Sequence, residues 1–388
     1  MVKTGLDVFL NNVEKYKSRR IGLIANQTSV TRDFQYSWDA LRASGLQVQR
    51  LFSPEHGLFS TEQDQVSVAE QPGTRVDTIS LYGDSYDSLI PDQGCLEDID
   101  LILFDIQDVG SRYYTYMNTM ALFMKALDKK GIQMLVLDRP NPLGGDTVEG
   151  PLLDEDYRSF VGVFPVPVRH GMTPGELAQF YRDREAVDID LSVVGMDGWH
   201  RHMLYGEIGL DWVPPSPNMP TPTTALVYPG MCLLEGLNIS EGRGTTTPFQ
   251  VFGAPFIDPY ALITRIQTMD VHGVTLRPVY FRPTFHKYRD EVVSGAFLHI
   301  TDARRYRPFY TAIALVTALH DLYPERLKFL EDVYEFNTAH PTFDLLTGSS
   351  RIREMIQNGA TVDEIASSWK DDEKAFAKIK QGYHLYGD

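Results

Sequence analysis

Four short stretches of the chain gather acids, cations and aromatics where an α/β sheet exposes them. Pro54-Glu55-His56-Gly57 follows the apolar run 48–53. Asp105-Ile106-Gln107-Asp108-Val109-Gly110-Ser111-Arg112-Tyr113-Tyr114-Thr115-Tyr116 follows the run 99–104. Asp138-Arg139-Pro140-Asn141-Pro142 follows 134–137, and Arg169-His170-Gly171-Met172-Thr173 precedes a helical pattern. Ligands of an open parallel sheet sit beyond the carboxyl ends of its strands, so these stretches predict one crowded rim. The chemistry they support is acid–base work on a polyhydroxylated ligand. Glycosidic cleavage needs a carboxylic acid to protonate the leaving oxygen, and usually a second carboxylate as base or nucleophile. Glu55, Asp105, Asp108 and Asp138 all stand at strand ends. Glu55, beside His56 and covered by a second domain, would have the raised pKa a general acid requires.

Each of these residues also has a plainer reading. An acid after a strand is often a helix N-cap. Arg112, Arg139 and Arg169 suit structural ion pairs with the same carboxylates. His56 and His170 suit satisfied structural histidines, and Tyr116 a core position at the start of a helix. Asn218, Asn238 and Arg243, further on, suit pins for a long loop. The plain readings explain the residues singly but not their shared edge.

The elements that would position them alternate in kind. Strands are expected at 21–25, 48–53, 78–82, 99–105, 134–138 and 191–194. The continuous apolar run 99–105 marks a strand buried on both faces. Helices are expected over 38–44 and from Tyr116 through Leu127, where apolar residues recur at helical spacing. A further helix starts at Thr173-Pro174-Gly175-Glu176, a capping box with proline in the first turn. This alternation predicts a Rossmann-like, mostly parallel sheet with helices on both faces. Residues 212–255 are rich in Pro, Gly, Thr and Asn with interleaved aromatics, and read as a long ordered loop. Beyond Phe256 helices are expected at 259–269, 309–322, 352–356 and 362–369, with strands at 274–281 and 296–300. The expected division is therefore a catalytic domain over 1–256 and a smaller α+β domain over 257–388.

The 388 residues carry a net charge of −16, which repels polyanions and argues against nucleic acid. No apolar stretch approaches the ~20 residues that span a bilayer. The first ten residues lack a signal pattern, so the chain reads as cytoplasmic, or as periplasmic or secreted after a signal is removed. Cys95 and Cys232 read as free thiols. No Gly-x-Gly-x-x-Gly follows the first strand, and no phosphate loop, His-Glu-x-x-His or Cys-x-x-Cys occurs, so neither cofactor nor metal is expected. One competing motif does occur. Gly83-Asp84-Ser85 with Asp197-Gly198-Trp199-His200 resembles the elements of a GDS-type esterase, with Ser85 as nucleophile and His200 as base.

The longer strings resemble a known family. Phe52-Ser53-Pro54-Glu55-His56-Gly57, the long 104–116 string and Leu137-Asp138-Arg139-Pro140-Asn141-Pro142 are similar to those of the exo-β-N-acetylmuramidases, once known only as a domain of unknown function. So are Pro215-Ser216-Pro217-Asn218-Met219-Pro220 and Glu235-Gly236-Leu237-Asn238-Ile239-Ser240-Glu241-Gly242-Arg243-Gly244. The resemblance runs nearly end to end. It implies a Rossmann-like catalytic domain with an auxiliary domain and a cleft between them. It implies release of terminal N-acetylmuramic acid from the non-reducing end of peptidoglycan fragments of the MurNAc-GlcNAc type. Glu55 is the implied catalytic glutamate. The chain departs from the family pattern just after it, in Leu58-Phe59-Ser60-Thr61-Glu62-Gln63-Asp64.

On this reading Glu55 is the general acid and His56 orients it. Asp105 or Asp108 is the expected second carboxylate, with Glu241 a further candidate. Arg112, Arg139, Arg169 or Arg243 would grip the lactyl carboxylate of the sugar. Asn218 and Asn238 suit hydroxyls or the acetamido group, and Tyr113 and Tyr114 the ring. Gln107, Asp138, Asn141 and His170 complete the expected contacts. A non-catalytic muropeptide-binding protein and the Ser85 esterase remain the alternatives at this stage.

Overall fold

The computed structural model describes residues 1–63, 65–66 and 74–387. Six strands form one parallel sheet: β1 (Arg20–Ala25), β2 (Gln47–Ser53), β3 (Asp77–Ser80), β4 (Leu101–Asp105), β5 (Gln133–Leu137) and β6 (Leu191–Val194), in the order β3-β2-β1-β4-β5-β6. This is the doubly wound order of a Rossmann-like sheet. β4 is buried along its whole length, as its unbroken apolar run requires. α1 (Gly5–Leu10) and α2 (Ser37–Ala43) cover one face through Leu6, Phe9, Trp38 and Leu41, packed on Leu101 and Leu103. α3 (Thr115–Ala126) and α4 (Pro174–Arg184) cover the other face, packed on Ile102 and Phe104. α4 begins as its sequence predicts: the Thr173 hydroxyl accepts from the Glu176 N–H, and Glu176 reaches back to Thr173.

The stretch expected to be one long loop contains a helix, α5 (Pro222–Met231), capped by Thr221. Pro229 lies inside it, which hides the helix from any reading by propensity. Tertiary packing overrides the local signal. A Cβ at Gly230 would lie 2.0 Å from the Pro308 carbonyl, so only glycine lets this segment meet α7 (Pro308–Leu322). β7 (Val251–Ala254) follows, ahead of α6 (Pro259–Ile266), β8 (Val274–Phe281) and β9 (Val293–Ile300). β7, β9 and β8 make a three-stranded antiparallel sheet. β7, which precedes residue 256, thus pairs into the second sheet. α8 (Thr342–Thr347), α9 (Arg351–Gln357), α10 (Val362–Ser367) and α11 (Lys370–Lys380) finish the chain.

One apolar core runs through both units. It joins Phe104, Met120 and Leu177 of the first to Ile313, Leu315 and Phe343 of the second. Both cysteines are free thiols. Among the described residues no helix is long and apolar enough to cross a membrane.

Candidate active site

The turn after β2 presents Glu55. The Gly57 N–H closes it onto the Pro54 carbonyl at 3.0 Å. His56 and Gly57 both adopt left-handed backbone, with φ of 68° and 81°. Glycine takes that conformation freely, whereas for histidine it is strained, a state that persists where the surroundings enforce it. His56 is held through its ring: Nδ1 lies 2.9 Å from the Glu62 carbonyl, so Nδ1 carries the proton. Asp64, at the end of the departing string, lies outside the described residues.

Glu55 is only 4% exposed. The Thr115 hydroxyl donates to its Oε2 at 2.6 Å, while the Gln65 N–H makes a long contact of 3.4 Å with Oε1. Thr115 is the first residue of α3, so the carboxyl faces a helix N-terminus.

Glu55 lies in a narrow crevice of about 40 Å³. His56, Tyr113, Tyr114 and Thr115 line it from the first unit, and Asn218, Tyr228, Glu235 and Arg243 from the stretch 216–249. Tyr334 and Glu335 close it from the second unit. Arg243 donates to Glu235 Oε1 at 2.8 Å, and the Tyr334 hydroxyl donates to Oε2 at 2.6 Å. Both oxygens of Glu235 are therefore held by donors. Arg243 itself packs over the Phe249 ring at 5.1 Å. Burial pushes the phenols of Tyr113, Tyr114, Tyr228 and Tyr334 well above their ordinary pKa, so they act as neutral donors.

Glu335 and Phe336 form the two central residues of a tight turn closed by reciprocal hydrogen bonds between Tyr334 and Asn337. Both have positive φ, 46° and 65°, where such a turn normally carries Asn and Gly. The Tyr82 hydroxyl donates to Glu335 Oε2 at 2.9 Å.

Of the residues expected from sequence, Glu55, His56, Tyr113, Tyr114, Asn218 and Arg243 meet in this crevice. The others do not line it. Asp105 points to the opposite face of the sheet, in a buried ion pair with Arg139 at 2.7 Å. Burial raises its pKa against the pull of Arg139. Asp108 accepts from the Gly110 N–H and lies 3.6 Å from His170 Nε2. Burial drives Asp108 up to about 7 and His170 down to about 3. Asp138 is saturated by Thr173, Gly175, Arg139 N–H and Tyr386. Arg112 donates to the carbonyls of Pro151, Val166 and Leu346, and Arg169 to that of Leu143. Gln107 and Asn141 likewise bond to backbone. Asn238 pins the chain at Arg326 and Lys328. Glu241 is buried behind Arg243; burial opposes its charge, but Lys287, His286 and Arg243 hold its carboxyl far below the usual range. Sequence reasoning missed Glu235, Tyr228, Tyr334 and Glu335. Glu235 did open the most distinctive string of the second half.

The esterase arrangement does not assemble. Ser85 follows β3 and His200 follows β6, the two opposite edges of the sheet. Five inter-strand steps of about 4.8 Å separate them. Asp197 pairs with Lys3 instead. No group of three metal-ligating side chains occurs among the described residues.

Comparison with known proteins places this architecture. Residues 21–223 match the family described as Exo-beta-N-acetylmuramidase NamZ, N-terminal, and residues 226–386 match its C-terminal counterpart. The chain is 41% identical to the peptidoglycan beta-N-acetylmuramidase NamZ of Bacillus subtilis, over 99% of this chain and 91% of that one. It is also similar to two crystal structures of DUF1343 family proteins from Bacteroides fragilis. One has a TM-score of 0.88 at 32% identity, covering 99% of both chains. The other has a TM-score of 0.75 at 30% identity, covering 100% of this chain and 99% of that one.

Proposed function

The chain belongs to the exo-beta-N-acetylmuramidase NamZ family and is a glycosidase, and on that premise we propose how its crevice performs the cleavage. The substrate is a peptidoglycan-derived saccharide whose non-reducing end is N-acetylmuramic acid, linked to N-acetylglucosamine. Glu55 is the general acid. Its Oε2 is fixed by Thr115, which leaves Oε1, with only the 3.4 Å contact, to carry the proton toward the glycosidic oxygen. His56, strained and tethered through Nδ1, positions that carboxyl.

The second carboxylate is Glu235, not Asp105 or Asp108. With Arg243 and Tyr334 donating to it, Glu235 is held as an acceptor while Glu55 serves as proton donor, and two carboxyls in unlike settings divide the two roles. Glu235 stabilises the positive charge that develops at the sugar ring. Arg243 also faces the lactyl carboxylate, and Asn218, Tyr113 and Tyr114 face the ring and its acetamido group. About 40 Å³ is less than a sugar ring needs, so the walls of the crevice move apart as substrate enters. The observation that carries this reading is the meeting of Glu55 with a donor-held glutamate and an arginine from distant sequence in one crevice. Proton NMR of a muramic-acid-terminated disaccharide tests it. Release of the terminal sugar by the native protein, and its loss in Glu55→Gln, supports it; undiminished release by the variant refutes it.

A further inference from the structure

A second space adjoins the crevice at Glu335. Beyond that residue a wider groove of about 490 Å³ opens, a volume typical of ligand sites. Glu335 lines both spaces. Tyr86, Phe336 and Asn337 offer aromatic faces and an amide to the groove, over the buried Phe160 ring. Tyr86 is 40% exposed, and Phe336 stands against Tyr82 and Phe160, with centroids 5.5 and 6.4 Å apart. Arg158, on the same wall, is already paired with Glu155 and Glu185. Lys125 has no ion pair or side-chain hydrogen bond among the described residues.

An enzyme that removes a terminal sugar needs a tight pocket for that sugar and an open path for the rest of its substrate. The narrow crevice and the wider groove meet at one residue and have these two shapes. Aromatic faces with an adjoining amide suit pyranose rings, which present apolar C–H faces and hydroxyl edges. Asp128, Glu185 and Glu335 line the same groove, so any attraction for an anionic group is local to the Lys125 ammonium, which has no ion pair among the described residues.

We propose that this groove is the leaving-group subsite. It takes the saccharide beyond the scissile bond along Tyr86 and Phe336, and Lys125 meets a carboxylate carried further along that saccharide. The proposal rests on the Glu55 reading of the crevice. The carboxylate has two sources: the lactyl group of an internal muramic residue, or a stem peptide attached to it.

Three substrates test this: an aryl glycoside of N-acetylmuramic acid, a peptide-free tetrasaccharide, and the same tetrasaccharide bearing stem peptides. The readout is the ratio of kcat/KM for each tetrasaccharide to that for the aryl glycoside. Tyr86→Ala should lower the ratio on the order of tenfold, the worth of one aromatic contact. Lys125→Met should lower it about threefold to fivefold, the worth of one exposed ion pair, and 0.5 M salt should erase that difference. A fall with both tetrasaccharides identifies the lactyl group; a fall with the peptide-bearing one alone identifies the peptide. Ratios unchanged in both variants overturn the groove. A fall with Tyr86→Ala but none with Lys125→Met on either tetrasaccharide overturns the carboxylate contact. Failure of the Glu55 reading looks different, because Glu55→Gln would then cleave all three substrates at native rates.

Discussion

Replacing Glu55 by glutamine removes one transferable proton and almost nothing else. The glutamine carbonyl can still accept from Thr115 at 2.6 Å, and its amide meets the Gln65 N–H only at about the 3.4 Å of the native contact. The variant should therefore fold and melt close to the native protein. Its effect on rate depends on the leaving group. A departing sugar alkoxide must be protonated, and a positioned acid contributes roughly 10²–10⁴-fold to such a step, about 2.7–5.4 kcal/mol of barrier. A nitrophenolate leaves as a stable anion, so the same variant should lose less than about tenfold on a nitrophenyl glycoside. Steady-state kinetics on a MurNAc-terminated disaccharide and on the aryl glycoside, with melting curves as the folding control, make the comparison. Equal losses on both substrates would refute proton donation by Glu55, and no loss on either would remove it from the chemistry altogether.

Arg243→Ala should reduce kcat/KM for muramic glycosides on the order of tenfold more than for the matching glucosamine glycosides, the worth of one hydrogen bond to a charged group; equal loss on both counts against lactyl recognition. Asp105→Asn leaves Arg139 without its buried partner and should cost about 3 kcal/mol by urea denaturation, with kcat within about twofold of native; a collapse of kcat at full stability would return Asp105 to the chemistry. Asp108 and His170 should offset each other with pH. Between about pH 4 and 6.5 the folded pair holds one proton, on Asp108, and the unfolded pair also holds one, on His170. Folding then takes up no proton from this pair. In His170→Asn, Asp108 stands alone with its raised pKa, so stability should fall as pH rises from 4 to 7, by about 1.4 kcal/mol per unit more than in the native protein; parallel curves would refute the assignment. Gly230→Ala should cost at least 1–3 kcal/mol through overpacking against the Pro308 carbonyl, seen as a lower Tm; an unchanged Tm would show that the α5–α7 crossing relaxes freely.

The parallel sheet was legible because each strand is a short apolar run and the β4 run is unbroken. Glu55 was legible because Pro54-Glu55-His56-Gly57 follows a strand and a ligand-facing rim is a property of the sheet alone. The cations were harder. Arg112 and Arg169 look like anion grips in sequence, but buried carbonyls need donors too, and nothing local tells the two uses apart. Asp105 and Asp108 sit three residues apart on a strand end, yet pleat and turn send neither into the crevice. Glu235, Tyr334 and Glu335 reach Glu55 only through packing between segments some 180 to 280 residues away, which no periodicity records. α5 was hidden for a related reason: Pro229 argues against a helix locally, and only its burial against α7 sustains one.

The shared interior has a consequence for how this enzyme can be divided. The two family segments meet between residues 223 and 226, within the first turn of α5, while α3, α5 and α7 solvate one another as a single oily mass. A protein cut at that seam would expose two raw apolar faces, so each fragment should aggregate and neither should serve as a transplantable module. Access to Glu55 then cannot come from the halves rocking apart on a hinge. Substrate is then expected to enter through local movement of the crevice wall, of which Glu335 is part.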